Sequence, residues 1–267
     1  MLNITLENGV EMPIIGSGTN TFGLVDYTYG NPLRGDSLEV DMAIENGYRH
    51  FDTAQIYGTE GVVGEGVAKS EVARSEFFIT TKLNTYNGYK GDEWAREEIE
   101  KSLELLQTDY VDQYLIHFPW DNDEEILSAW AVLEDYYDRG IFKSIGVSNF
   151  SVEQLKLILE NGKVRPVANQ IESHIGKWQD DLIEFHKAEN IATIAWSPLG
   201  NLAQAPAVLT TIAEKYGKTT AQVILRYQTQ RGVIVIPKSH NKDRQAQSLD
   251  IFDFELTEEE SQQISKL

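Results

Sequence analysis

Apolar residues along this chain fall in short runs separated by longer stretches in which they recur at helical spacing. The opening ITLE-Asn8-Gly9-VEMP carries the two-residue turn signal of a small hairpin. After it come IIGSG, YRHFD, FFITTK from Phe77, VDQYLIH from Val111, FKSIGVS from Phe142, VANQIE from Val167, ATIAW from Ala192 and VIVIP from Val233, eight candidate strands. Between them Ala95, Ile99, Leu103 and Leu106 step by four, four and three through mostly charged neighbours, as do Ile126, Trp130, Leu133 and Tyr137, which predicts amphipathic helices. Ser151 with Gln154, Thr219 with Gln222 and Thr257 with Glu260 match capping boxes and mark three helix starts. Strand then helix, repeated eight times, predicts an α/β fold: a (β/α)8 TIM barrel with an N-terminal β-hairpin as lid or plug. A doubly wound open sheet is the alternative, but no G-x-G-x-x-G opens the first unit, and the glycines of GVVGEG, Gly61 to Gly66, lie in a helix-like segment where they predict close helix packing. With no linker, low-complexity run or short repeat, residues 1–267 are expected to form a single domain.

Composition narrows the function. A hydrophobic share of 41% over 267 residues supports a large core. No window approaches a membrane-spanning run, and MLNITLENGV lacks a basic-then-apolar secretion signal, so a soluble, cytoplasmic protein is expected. The absence of Cys excludes disulfides, thiolate nucleophiles and Cys-ligated zinc. A formal charge of −19 repels nucleic acid and anionic membranes, so any anionic ligand needs a local basic pocket. VIPKSHNKDR offers one, with Lys238, Ser239 and Arg244 around a predicted helix start where free N–H groups and two cations favour a phosphate.

The barrel pattern also gathers candidate chemistry at one rim. Asp52 after the second strand, Lys82 ending the third and His117 ending the fourth all belong at the carboxyl ends of strands, with Tyr57 just beyond Asp52. A phenol with a pKa near 10 is a poor acid at neutral pH unless a cation lies beside it, and a carboxylate explains how such a cation is held. GYRHFDTAQIYG, FFITTKL, DYVDQYLIHFP, IGVSNF, NQIE, AWSPLG and VIPKS, in that order over nearly the whole chain, resemble the aldo-keto reductases, and within them the diketogluconate, glyoxal and xylose reductase branch.

That resemblance implies an NADPH-dependent oxidoreductase reducing a small aldehyde or ketone. It carries Asp52, Tyr57, Lys82 and His117 onto the catalytic tetrad: Asp52 pairs with Lys82, Lys82 lowers the pKa of Tyr57, Tyr57 protonates the carbonyl oxygen, and His117 orients the carbonyl and shares the proton load. It places Ser148, Asn149 and Gln170 on the nicotinamide carboxamide and Trp196 against the nicotinamide ring. Ser197 and Leu199 fall along the pyrophosphate, and Lys238, Ser239 and Arg244 on the adenosine 2'-phosphate. Asn20, Asn84 and Phe118 stand in the substrate pocket where many relatives carry Trp, and Ser173 where they carry Tyr, which predicts a less aromatic, more polar pocket. Gln247 and Ser248 replace the usual adenine contacts, and Gly23 to Arg34, with Tyr27, Tyr29 and Pro32, lengthens the first strand-to-helix loop and is expected to supply new pocket residues. The expected partners are a small-molecule carbonyl and no nucleic acid or membrane, with the protein a monomer or weak homo-oligomer. Two other readings are a metal-dependent barrel hydrolase with His50, Asp52, His117 and His174 as ligands and no nicotinamide, and a nicotinamide-binding scaffold without useful turnover.

Overall fold

A computed structural model describes residues 2–267. Strands β1 (Asn3–Thr5) and β2 (Glu11–Pro13) pair antiparallel. Their turn holds three residues rather than two: Leu6 N–H donates to Val10 O at 2.8 Å and Gly9 N–H to Leu6 O at 2.8 Å. Gly9 takes φ 85°, the left-handed position such a turn requires. Leu6, Met12 and Ile14 pack with Ile194 and Ile234, so the hairpin plugs the barrel end away from the strand carboxyl termini.

The barrel proper runs β3 (Ser17–Gly18), α1 (Leu38–Asn46), β4 (His50–Asp52), α2 (Glu60–Ala68), β5 (Phe78–Leu83), α3 (Asp92–Leu106), β6 (Gln113–Ile116) and α4 (Asp123–Asp138). It continues with β7 (Ile145–Ser148), α5 (Val152–Asn161), β8 (Ala168–Glu172), α6 (Asp180–Ala188), β9 (Ala192–Trp196), α7 (Ala207–Tyr216), α8 (Thr220–Gln230), β10 (Ile234–Val235), α9 (Lys242–Leu249) and α10 (Glu258–Ile264). From β3 to β10 every strand pairs parallel with the next. A parallel bridge between Ile15 and Val235 closes the ring, with Gly16 N–H on Val235 O at 2.9 Å and Val235 N–H on Ile14 O at 3.0 Å. The (β/α)8 expectation and the hairpin therefore hold.

The first and last strands are shorter than their apolar runs. After Gly18 the chain turns away, Phe22 N–H folding back onto Thr19 O at 2.9 Å, and Pro237 has no N–H to extend β10. The predicted helix faces are buried at Ala95, Ile99, Leu103, Leu106, Ile126, Trp130 and Leu133, with Tyr137 half-buried. All three capping boxes form, at Ser151, Thr219 and Thr257. Gly64 allows α2 against α3, since a Cβ there would lie 2.3 Å from Leu105 O. Two helices exceed the eightfold alternation: both α7 and α8 lie between β9 and β10, and α10 follows α9; α7, α8 and α10 bury a separate cluster of Leu209, Ile212, Val223, Ile224 and Ile264. Among the described residues no helix is long and apolar enough to cross a membrane.

Candidate active site

Asp52 ends β4 and Lys82 is the penultimate residue of β5, one place short of the strand end the sequence pattern gave it. Both point into the barrel mouth and both are buried. Lys82 Nζ donates to Asp52 Oδ1 at 2.6 Å and to Thr53 O at 2.8 Å, and Gln170 Nε2 donates to Asp52 Oδ2 at 2.7 Å. Each carboxylate oxygen is therefore satisfied, as a buried charge demands. Burial pulls the Lys82 ammonium below its ordinary pKa, and the Asp52 carboxylate opposes the loss of its proton.

Tyr57 closes the single turn Gln55–Tyr57 beyond β4, and the Lys82 ammonium sits 5.2 Å from its ring centroid. The expected acidification by Lys82 is not what this arrangement produces. Burial first, then the Asp52 carboxylate and Tyr86, push the phenol above its ordinary value, while two of the ammonium's N–H groups are committed to Asp52 and Thr53. Tyr57 is thus a neutral phenol that keeps its proton. His117 follows β6, with its ring 5.5 Å from that of Tyr57 and nearly perpendicular at 83°. Burial and then the Lys82 charge drive its pKa down to about 3, so it is neutral and can donate a hydrogen bond but shares no proton load, contrary to the expectation. Its Nδ1 is buried without a partner, which leaves Nε2 as the ring nitrogen available to the cleft.

The amide residues form one chain of hydrogen bonds. Ser148 Oγ donates to Gln170 O at 3.0 Å and accepts from Asn149 Nδ2 at 2.9 Å; Asn149 Nδ2 also reaches His117 O at 3.1 Å, and Trp196 Nε1 donates to Asn149 Oδ1 at 2.9 Å. Gln170, whose Nε2 is committed to Asp52, keeps its Oε1 without a partner among the described residues and lines the cleft. Asn149 and Ser197 hold φ values of 64° and 50°, left-handed backbone at two non-glycine residues on the rim.

A cleft of about 540 Å³ brings together Asn20, Asp52, Tyr57, His117, Phe118, Ser148, Asn149, Gln170, Trp196, Ser197 and Lys238. A second cavity of about 630 Å³ holds Leu199, Ser239, Arg244, Gln247 and Ser248, and Lys238 lines both. Lys238 Nζ donates to Asn20 Oδ1 at 2.7 Å and Thr21 Oγ1 at 3.1 Å, so it marks the junction of the cavities rather than the far end alone. Asn241 caps α9 by accepting the Arg244 N–H at 2.9 Å, leaving the exposed Arg244 guanidinium without a carboxylate among the described residues.

Two sequence expectations about the substrate pocket change. Asn84 is not part of the cleft wall; its Oδ1 accepts the Tyr86 N–H at 3.1 Å, forming a turn that turns Tyr86 into the cleft against Phe118 and His117. Tyr29, from the lengthened first loop, lines the opposite side and meets Tyr57 edge-on at 6.4 Å. The cleft is therefore aromatic, its rings supplied from positions other than the strand ends. The Tyr29 ring comes from the Gly23 to Arg34 loop, which the sequence marks as a source of pocket residues, whereas no pattern in the sequence marks Tyr86. Ser173 is buried and bonded to Trp178 O and Gln228 Nε2, away from the cleft lining. Ile56 also lines it.

The four candidate metal ligands do not converge. His50 lies deeper, its Nε2 3.3 Å from Thr80 Oγ1, and His174 sits beyond β8 beside Glu172 and Ile175 O. Among the described residues no three His, Asp or Glu side chains form a metal-holding group.

A closed barrel that gathers a buried ammonium–carboxylate pair, a phenol and an imidazole at its carboxyl rim puts titratable groups where (β/α)8 enzymes carry their active sites. Residues 14–267 match the Aldo/keto reductase family. Glyoxal reductase of Bacillus subtilis is 44% identical over 266 residues, covering 99% of this chain and 92% of that protein. An aldo/keto reductase crystal structure from Brucella melitensis superposes with a TM-score of 0.90 at 40% identity, covering 99% of this chain and 98% of that one. The Bombyx mori aldo-keto reductase solved in complex with NADP gives 0.88 at 37%, covering 99% and 92%. The chain belongs to the aldo/keto reductase family, oxidoreductases of aldehydes and ketones.

Proposed function

We propose that residues 1–267 act as one domain that reduces small, uncharged aldehydes or ketones to alcohols with NADPH, Tyr57 giving the proton. One observation carries this reading: the buried Asp52–Lys82 pair, 2.6 Å apart, lies against the Tyr57 ring in a cleft that opens through Lys238 into a cavity edged by an unpaired Arg244. The residues fit such a cofactor. Gln170 Oε1 is an open acceptor for the carboxamide, Asn149 fixes the Trp196 indole as a wall for the ring, and Ser197 and Leu199 follow the link between the cavities. Lys238, Ser239 and Arg244 meet the adenosine phosphate at the α9 start, with Gln247 and Ser248 beside the adenine. Bound there, the cofactor supplies the hydride.

The chain's own groups do the rest. His117 donates a hydrogen bond from Nε2 to the carbonyl oxygen and orients it, which a neutral imidazole can do and a buried cation could not do cheaply. As negative charge grows on that oxygen, Tyr57 delivers its proton, since an alkoxide is a much stronger base than a phenolate. The Lys82 ammonium, anchored by Asp52 and unable to move, then faces the phenolate as it forms. Its help is given to the product of proton transfer rather than to the resting phenol. The wall of Tyr29, Tyr86, Phe118 and Ile56 offers ring faces and hydroxyls but no charge to a substrate body, which favours neutral carbonyls. The glyoxal reductase relative makes small dicarbonyls the first substrates to try.

Mixing the protein with NADPH and a panel of neutral aldehydes is expected to extinguish the cofactor's near-ultraviolet absorbance, with NADPH bound more tightly than NADH and Arg244→Ala erasing most of that preference, about 10-fold for a charge-assisted phosphate contact. A protein that binds the two cofactors equally, or leaves every aldehyde untouched, is not the reductase described.

A further inference from the structure

We propose that the Gly23–Arg34 loop is one strap across both cavities, with Tyr27 closing on the adenosine half of the cofactor, Tyr29 closing on the carbonyl substrate, and the buried Glu39 anchoring both. The inference rests on the cofactor and substrate assignment above and adds to it the Tyr27 contact and its link to Tyr29.

The strap is closed at its base by Arg34 N–H on Gly23 O at 2.6 Å, Val25 N–H on Pro32 O at 3.0 Å and an antiparallel bridge between Leu24 and Leu33. Asn31 Nδ2 crosses the strap to Val25 O at 3.0 Å. Below it Glu39, fully buried on α1, accepts the Gly23 N–H at 3.1 Å and the Arg34 guanidinium at 2.7 and 2.8 Å. The same carboxylate faces His240 Nδ1 at 3.4 Å.

His240 is the floor for the cofactor end. Tyr27 stacks on it with centroids 3.9 Å apart and planes 25° from parallel, and both rings line the cavity that holds Ser239 and Arg244. Asp26 and Tyr27 hold φ values of 52° and 55°, two successive non-glycine residues in the left-handed region, which aims the Tyr27 ring at His240 and persists only because surrounding contacts fix it. An aromatic face beside a cation and a helix start suits a purine ring carrying a phosphate. Two residues further on, Tyr29 faces the reduction cleft. Tyr27 and Tyr29 are 47% and 51% exposed, so neither ring is retained for the protein's own core.

Tyr27→Ala is expected to weaken NADPH binding, read by quenching of the protein's fluorescence, and Tyr29→Ala to raise the aldehyde KM at saturating NADPH, each by about 10-fold and each alone. Arg34→Ala, which frees the strap from Glu39, is expected to do both. Should that variant fail to fold, Arg34→Lys, which keeps the charge but loses the forked grip, shows the same paired effect in smaller measure. Wild-type protein that binds NADPH while Tyr27→Ala binds it equally well overturns the strap and leaves the reductase standing, and so does an Arg34 variant that changes only one of the two readings. Wild-type protein that does not bind NADPH overturns the reductase and the strap with it.

Discussion

Tyr57→Phe is expected to lower kcat by roughly 10²–10⁴-fold, the usual worth of a positioned general acid, while NADPH binding measured by fluorescence stays intact. The ring's edge contacts with His117 and Tyr29, and its position over the Lys82 ammonium, all survive the loss of one oxygen. What disappears is the proton. Because burial and Asp52 hold that phenol above its ordinary pKa, Tyr57 stays protonated across the neutral range, so the loss in Tyr57→Phe should be similar at pH 6 and pH 8. A variant with near wild-type turnover removes Tyr57 from the chemistry.

The second large effect separates a structural ion pair from a functional one. Asp52→Ala leaves the fully buried Lys82 ammonium with Thr53 O as its remaining partner, and is expected to cost about 3–5 kcal/mol of stability together with nearly all activity. Lys82→Met leaves the opposite charge buried, with only Gln170 to meet it, and is expected to destabilise for the same reason. The double variant Asp52→Asn/Lys82→Met removes both charges and is expected to recover most of the stability in a denaturant titration, since a buried pair is often replaceable by neutral groups of similar size. Turnover should not recover. If it does, the pair serves the fold and not the reaction.

The barrel was legible in the sequence because strands buried on both faces read as continuous apolar runs and the capping boxes at Ser151, Thr219 and Thr257 mark helices without tertiary context. Asp52 ends its strand, and Lys82 and His117 each lie one residue from a strand end, Lys82 before it and His117 beyond it. The environment of those groups could not be read so directly. The rise in the Tyr57 pKa comes from burial, which no local pattern encodes, and so does the loss of proton affinity at His117. Gln170 donates to Asp52 across 118 residues, so the sequence could give its position but not that its amide N–H was already committed. The aromatic wall was misread for a related reason. Asn84 replaces a ring at the strand end, yet its side chain orients a ring two residues later, while Tyr29 comes from the Gly23 to Arg34 loop that the sequence does mark as a source of pocket residues, its path fixed by the buried Glu39.

The most direct test follows deuterium from NADPH labelled at the transferable ring position, with the alcohol product examined by NMR. Wild-type protein is expected to place one deuterium on the carbinol carbon, and Tyr57→Phe none above background in the same time despite bound cofactor. Wild-type protein that binds the labelled cofactor yet leaves the label on it across the aldehyde panel, or Tyr57→Phe that transfers it as fast as wild type, would contradict the account.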